Sequence, residues 1–83
     1  MGNKKVITKL GTLVEEHNEL YQLFETDNQE LSDKIDLMRK DLMLHLEIAT
    51  LSDEYTKDQK KIILETIEIN EEFITIVKKA FVR

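Results

Sequence analysis

Apolar residues return at steps of three and four in three separate stretches of the chain. Each run is interrupted once by a polar residue. The first run is Val6, Leu10, Leu13, His17, Leu20, Phe24; the second is Leu31, Ile35, Met38, Leu42, His45, Ala49; the third is Ile63, Ile67, Asn70, Ile74, Val77, Phe81. A repeat near 3.5 residues gathers every member of a run on one side of a helix, the seam pattern of coiled coils and packed bundles. The pattern predicts an all-α protein: a single helical domain, residues 1–83, folded as a three-helix antiparallel bundle with helices at about 4–25, 28–50 and 57–81.

Capping patterns set the boundaries. Thr26-Asp27-Asn28-Gln29 reads as a capping box in which Thr26 caps the amide of Gln29 and Gln29 reaches back; Asp27 with Glu30 offers the same device one residue on. Thr56-Lys57-Asp58-Gln59 repeats it after the polar stretch Ser52-Asp53-Glu54. Two other readings fit parts of the chain. A stutter in one long helix also accounts for the change of phase between Phe24 and Leu31. A hairpin about Asn70-Glu71 suits the β-branched run from Ile62 to Val77, although no glycine shapes its turn.

The second helix carries more apolar surface than one seam requires. Leu42, Leu46 and Ala49 cover one side of it, while Leu44, Ile48 and Leu51 cover nearly the opposite side. The third helix has a broad arc from Ile69 and Ile76 round to Ile63 and Ile74. An amphipathic surface helix needs one stripe, so the second face implies burial on both sides: either the second helix is the middle member of the bundle, or its far side meets another chain. Leu44, Ile48, Leu51, Ile69, Phe73 and Ile76 are the expected interface residues, in a homodimer that joins two copies into a larger helical bundle.

Composition narrows the classes. Proline is absent and both glycines lie at or before Gly11, so the usual punctuation of strands is missing. There is no cysteine, which removes disulfides and thiolate metal sites and suits a reducing compartment. The net charge of -5, with 35% charged residues, predicts a soluble chain and argues against nucleic acid as the main partner. No apolar run reaches the length of a membrane span and no charged-then-apolar leader opens the sequence, so the expected location is cytoplasmic. Val6 stands where a myristoylation start wants Ser or Thr. The abundance of Ile and Lys is common in AT-rich bacterial or phage genomes.

The polar members of the seams, His17, His45 and Asn70, are the candidate chemistry. In an up-down-up bundle His17 and Asn70 fall at about the same height, and a hydrogen bond between them would form a polar layer that fixes register at some cost in stability. The alternative is that each sits at the margin of its seam in contact with water. His45 lies at another level, four residues after Asp41; a surface ion pair and an imidazole oriented for metal or acid–base work are the two readings of that pair. Glu65, Glu68 and Glu72 form an outer face of the third helix, as Glu15, Glu16 and Glu19 do on the first, and no Glu stands three residues before either histidine as in di-metal bundles. Lys4, Lys5, Lys9, Lys57, Lys60 and Lys61 gather at one end, where they serve solubility or receive an acidic partner. Neither a phosphate-binding glycine loop nor a serine nucleophile with a base is present, so an enzyme is not expected, and neither a cofactor nor a metal is.

Two short likenesses accompany this reading. Leu13-Val14-Glu15-Glu16-His17-Asn18-Glu19-Leu20, followed by Leu42-Met43-Leu44-His45-Leu46-Glu47, resembles the first two helices of hemerythrin-like cation-binding domains. In that family a His on one helix faces a His-x-x-x-Glu on the next; here Ala49 holds the last position, later helices supply no histidine, and Asn70 stands near where one would be sought. The resemblance implies a degenerate metal-binding bundle without its iron. Ile35-Asp36-Leu37-Met38-Arg39-Lys40, with Leu64-Glu65-Thr66-Ile67-Glu68, resembles small helical-hairpin phosphatases of sporulation response regulators, whose Ser-Gln-Glu-Leu-Asp signature is not matched.

The function expected from the residues is that of a small non-catalytic protein-interaction module, an adaptor, regulator or inhibitor acting on another protein or on itself through an exposed apolar helix face. The alternatives are the degenerate metal-binding bundle and a nucleic-acid-binding protein using the lysine-rich end.

Overall fold

A computed structural model describes residues 2–51 and 55–81, with side chains from residue 4 onward. The chain forms α1 (Gly2–Phe24), α2 (Gln29–Leu51) and α3 (Lys57–Phe81), with no strand among the described residues. The long-helix and hairpin alternatives are thereby set aside. The bundle measures 41 × 20 × 17 Å, its length set by α3, whose 25 residues span roughly 37 Å.

Side-chain contacts give the direction of each helix. The chain turns between Phe24 and Gln29, and ten residues later Arg39 on α2 donates to Asn18 on α1 at 3.1 Å and lies over the Tyr21 ring at 5.5 Å, so α2 runs back antiparallel along α1. Lys78 reaches Glu16 at 3.4 Å, and Phe81 meets Phe24 edge to face at 5.7 Å, so α3 runs alongside α1 in the same sense. The N-termini of α1 and α3 share one end, where the six lysines named above are all exposed.

The α1 seam is the spine of the core. All six of its members, from Val6 to Phe24, are buried, His17 included. The α2 seam contributes Ile35, Leu42 and Ala49, and the α3 seam Ile63, Ile67, Ile74 and Val77 with Asn70. The last member of the α3 seam departs from the pattern. Phe81 is 53% exposed at the end of the described part of α3, edge to face with the Phe24 ring.

The helix starts also differ from one another. Thr56 and Gln59 form the reciprocal capping box: the Gln59 amide donates to Thr56 Oγ1 at 3.1 Å and the Thr56 amide to Gln59 Oε1 at 3.0 Å. At α2 the cap is Asn28 instead of Thr26 or Asp27. The Leu31 amide donates to Asn28 Oδ1 at 3.2 Å, while Thr26 turns to Asp27. The Asn28 amide bonds back to the Phe24 carbonyl at 3.0 Å, so one residue ends α1 and begins α2. The stretch 52–54, read from sequence as part of the second boundary, lies outside the described residues. Just beyond it the Tyr55 hydroxyl donates to the Ala49 carbonyl at 3.0 Å and ties the start of α3 to the end of α2.

Candidate functional site

The three helices do not share their contacts equally. α1 packs closely along α2 and more loosely along α3, whereas α2 and α3 barely touch. Between these two lies an open groove of ≈ 590 Å³, floored by Met38, Thr66 and Asn70, walled by Leu37, Leu44 and Ile69, and edged by Lys40 and Asp41. A smaller recess of ≈ 150 Å³ continues it toward the 55–59 end, between Ile48 on α2 and Ile62 on α3.

Each wall of this groove is a second helical stripe. On α2 Leu37, Leu44 and Leu51 recur every seven residues and are 72%, 54% and 78% exposed. On α3 Ile62, Ile69 and Ile76 do the same at 53%, 59% and 59%. Burial of the first seams has turned these stripes toward the gap and the solvent beyond it. α1 has no counterpart, since Leu23 is its one large exposed apolar residue among those described.

Of the residues expected at an interface, Leu44, Ile48, Leu51, Ile69 and Ile76 are exposed along this face. Phe73 is half-buried. Its ring stacks on His17 at 6.0 Å and 25°, with the Lys34 ammonium 5.8 Å above it on the α2 side. Leu37 and Ile62 belong to the face and were not singled out from sequence. The signal that finds them is the second run of alternating steps: Leu37-Asp41-Leu44-Ile48-Leu51 on α2 and Ile62-Thr66-Ile69-Phe73-Ile76 on α3.

The polar seam residues take different positions. His17 is fully buried, and its Nδ1 lies 2.7 Å from the Leu13 carbonyl. A carbonyl only accepts, so Nδ1 carries the proton and Nε2 of the neutral ring is left as an acceptor. Asn70 is buried against it and donates its Nδ2 to the Thr66 carbonyl at 2.7 Å. His17 Nε2 and Asn70 Oδ1 are both buried without a hydrogen-bond partner. Burial pushes the His17 imidazole below its ordinary value of 6.5; the Leu13 carbonyl, Asn70 and the charge of Glu16 act the other way. His45, by contrast, is half-buried, with Nδ1 2.8 Å from the Asp41 carbonyl and 3.7 Å from its carboxylate.

Arg39 is a structural residue that sequence reading passed over. Its guanidinium reaches Asn18, Asp36 and the face of Tyr21, and so clamps α2 to α1. Lys40 pairs with the other oxygen of Asp36 at 3.1 Å, and these two cations hold the Asp36 carboxyl below its usual range. Among the described residues no three His, Cys, Asp or Glu side chains converge in a way that would hold a metal, and no helix is long and apolar enough to cross a membrane. No protein-family model, curated protein or solved structure matches the chain.

Proposed function

We propose that this chain is a small non-catalytic interaction module whose working surface is the α2/α3 face, serving as an adaptor, regulator or inhibitor of the protein it binds. One observation carries the reading: two heptad-spaced apolar stripes stand exposed on neighbouring helices that α1 holds apart. A groove of this form accepts an amphipathic helix, which lays its own apolar stripe between the walls. That helix belongs to another protein or to a second copy of this chain, and a homodimer through α2 and α3 is the simplest assembly that covers the face.

The test uses Leu44→Asp combined with Ile69→Asp. Both positions are exposed, so the variant retains its helical circular dichroism. It is expected to lose both self-association, read by light scattering, and the capture of proteins from the source cells. A variant that assembles and captures as the parent does overturns the reading.

A further inference from the structure

We infer that the occupant of the α2/α3 groove is a second copy of this chain, packed crosswise so that α2 of each copy lies on α3 of the other. This rests on the interaction-module reading and adds the identity and register of the partner.

The first argument is area. The six heptad-spaced side chains, Leu37, Leu44 and Leu51 with Ile62, Ile69 and Ile76, are 53–78% exposed. At on the order of 100 Å² each, with Ile48 and the stems of the flanking lysines, they approach the roughly 800 Å² per partner of a standard stable interface. A single docked peptide helix would fill the groove but leave the outer halves of both stripes wet. A second α2/α3 pair covers both stripes at once, because it presents the same two stripes in return.

The second argument is charge. Asp33, Lys40 and Glu47 follow the α2 stripe at the same seven-residue spacing on its outer flank, in the order minus, plus, minus. The outer flank of α3 carries Lys61, then Glu65, Glu68 and Glu72, then Lys79, in the order plus, minus, plus. All of these side chains are exposed. Within one copy Lys34 stands level with Phe73, and Ile48 with Ile62, so Lys40 is level with Glu68, and Glu47 falls between Lys61 and Glu65. A two-fold axis along the groove keeps every residue at its own height. It therefore sets Lys40 against Glu68 in the second copy, and Glu47 between Lys61 and Glu65. Asp33 is level with Ile74, nearer Glu72 than Lys79, so the favourable crossed pairing rests on Lys40 and Glu68.

Like-on-like pairing fails the same test. Two α3 helices laid antiparallel about their centre oppose Lys61 with Lys79 and glutamate with glutamate, and two α2 helices about Lys40 oppose Asp33 with Glu47. Repulsion of this kind selects the crossed arrangement among those the apolar stripes allow. Lys40 holds Asp36 in the single chain but is 68% exposed, so its ammonium is free to reach a second carboxylate.

The experiment is a charge exchange on the full chain, followed by sedimentation equilibrium at low salt. The parent is expected to sediment as a dimer. Lys40→Glu alone, and Glu68→Lys with Glu72→Lys alone, are each expected to weaken self-association at least tenfold, since each makes its own crossed contact like-charged. An equimolar mixture of the two variants restores both contacts and is expected to recover a dimer near parental affinity. Helicity and thermal midpoint of the isolated variants, measured alongside, report that each is folded. A monomeric parent overturns the second-copy occupant, and the interaction-module reading then stands or falls on whether Leu44→Asp with Ile69→Asp abolishes capture of another protein. A dimeric parent whose variants associate unchanged, or fail to recover on mixing, overturns the crossed register alone.

Discussion

His17 on α1 and Asn70 on α3 lie against one another inside the bundle, each tied by one nitrogen to the carbonyl four residues earlier in its own helix, and each left with a buried acceptor. A buried acceptor left without a donor costs more than an apolar contact of the same shape. Replacing both residues by Leu is expected to raise stability by roughly 1–3 kcal/mol. In a chain of this size that is a rise of about 4–8 °C in thermal midpoint per kcal/mol. The gain of the double variant should differ from the sum of the singles by about 0.5 kcal/mol or more, because the two residues lie against one another. A lower midpoint for the double variant would refute this account.

The same pair makes stability depend on pH. Desolvation holds the folded His17 pKa below 6.5, so the unfolded chain takes up a proton before the folded one does. Stability is therefore highest above the unfolded value and falls as pH drops through it, at no more than about 1.4 kcal/mol per pH unit, until the folded ring also titrates. The charged groups around the ring are Glu16 on its own helix, Lys78 of α3 bonded to that glutamate, and Lys34 of α2 over the Phe73 ring. Asp36, whose carboxyl is held below 3.8, acts in a lower range and leaves this window undisturbed. Urea midpoints at about pH 7.5 and about pH 5.5 should differ clearly in the parent and much less in His17→Leu. Equal losses in the two proteins would move the titration to another group.

Two leucines five residues apart on α2 should behave as opposites. Leu42 is fully buried, and Leu42→Ala is expected to cost 2–5 kcal/mol, comparable with the whole stability of a core this small. Leu37 is 72% exposed, and Leu37→Ala should change folding of the dilute chain by no more than about 0.5 kcal/mol while weakening assembly. Chemical denaturation at low concentration, paired with light scattering at high concentration, separates the two effects. A dilute Leu37→Ala chain destabilised as much as Leu42→Ala would mean that the α2/α3 groove is closed within one copy.

The caps give a paired comparison. Thr56→Ala removes an observed hydrogen bond at the start of α3, and Asn28→Ala removes one at the start of α2; each is expected to cost about 1 kcal/mol. Thr26→Ala removes no contact with the helix and should be close to neutral. Urea midpoints rank the three. A Thr26→Ala penalty equal to that of Asn28→Ala would return the cap to the position first read from the sequence.

Local chemistry written in the chain determined the three helices and the side that each turns inward. The alternation of apolar steps needs no partner to be recognised, and all six α1 positions that it marks are buried. The Thr56–Gln59 box was legible for the same reason, since its two bonds join residues three apart. At α2 the choice among Thr26, Asp27 and Asn28 was open, because all three residue types can cap; the path of the chain out of α1, closed by the Asn28 amide on Phe24, selected the last. The surplus face was visible as a second stripe, but periodicity reports only direction around an axis. It says nothing of the distance between axes. That α1 would grip both neighbours while α2 and α3 stood apart, leaving Leu37 and Ile69 on two walls of a gap instead of in one core, depends on how three helix surfaces share a limited volume. The same holds for His17 and Asn70, which are 53 residues apart in the chain: each seam predicts one polar interruption, and only packing decides that the two should lie together, each with a buried acceptor left unpaired.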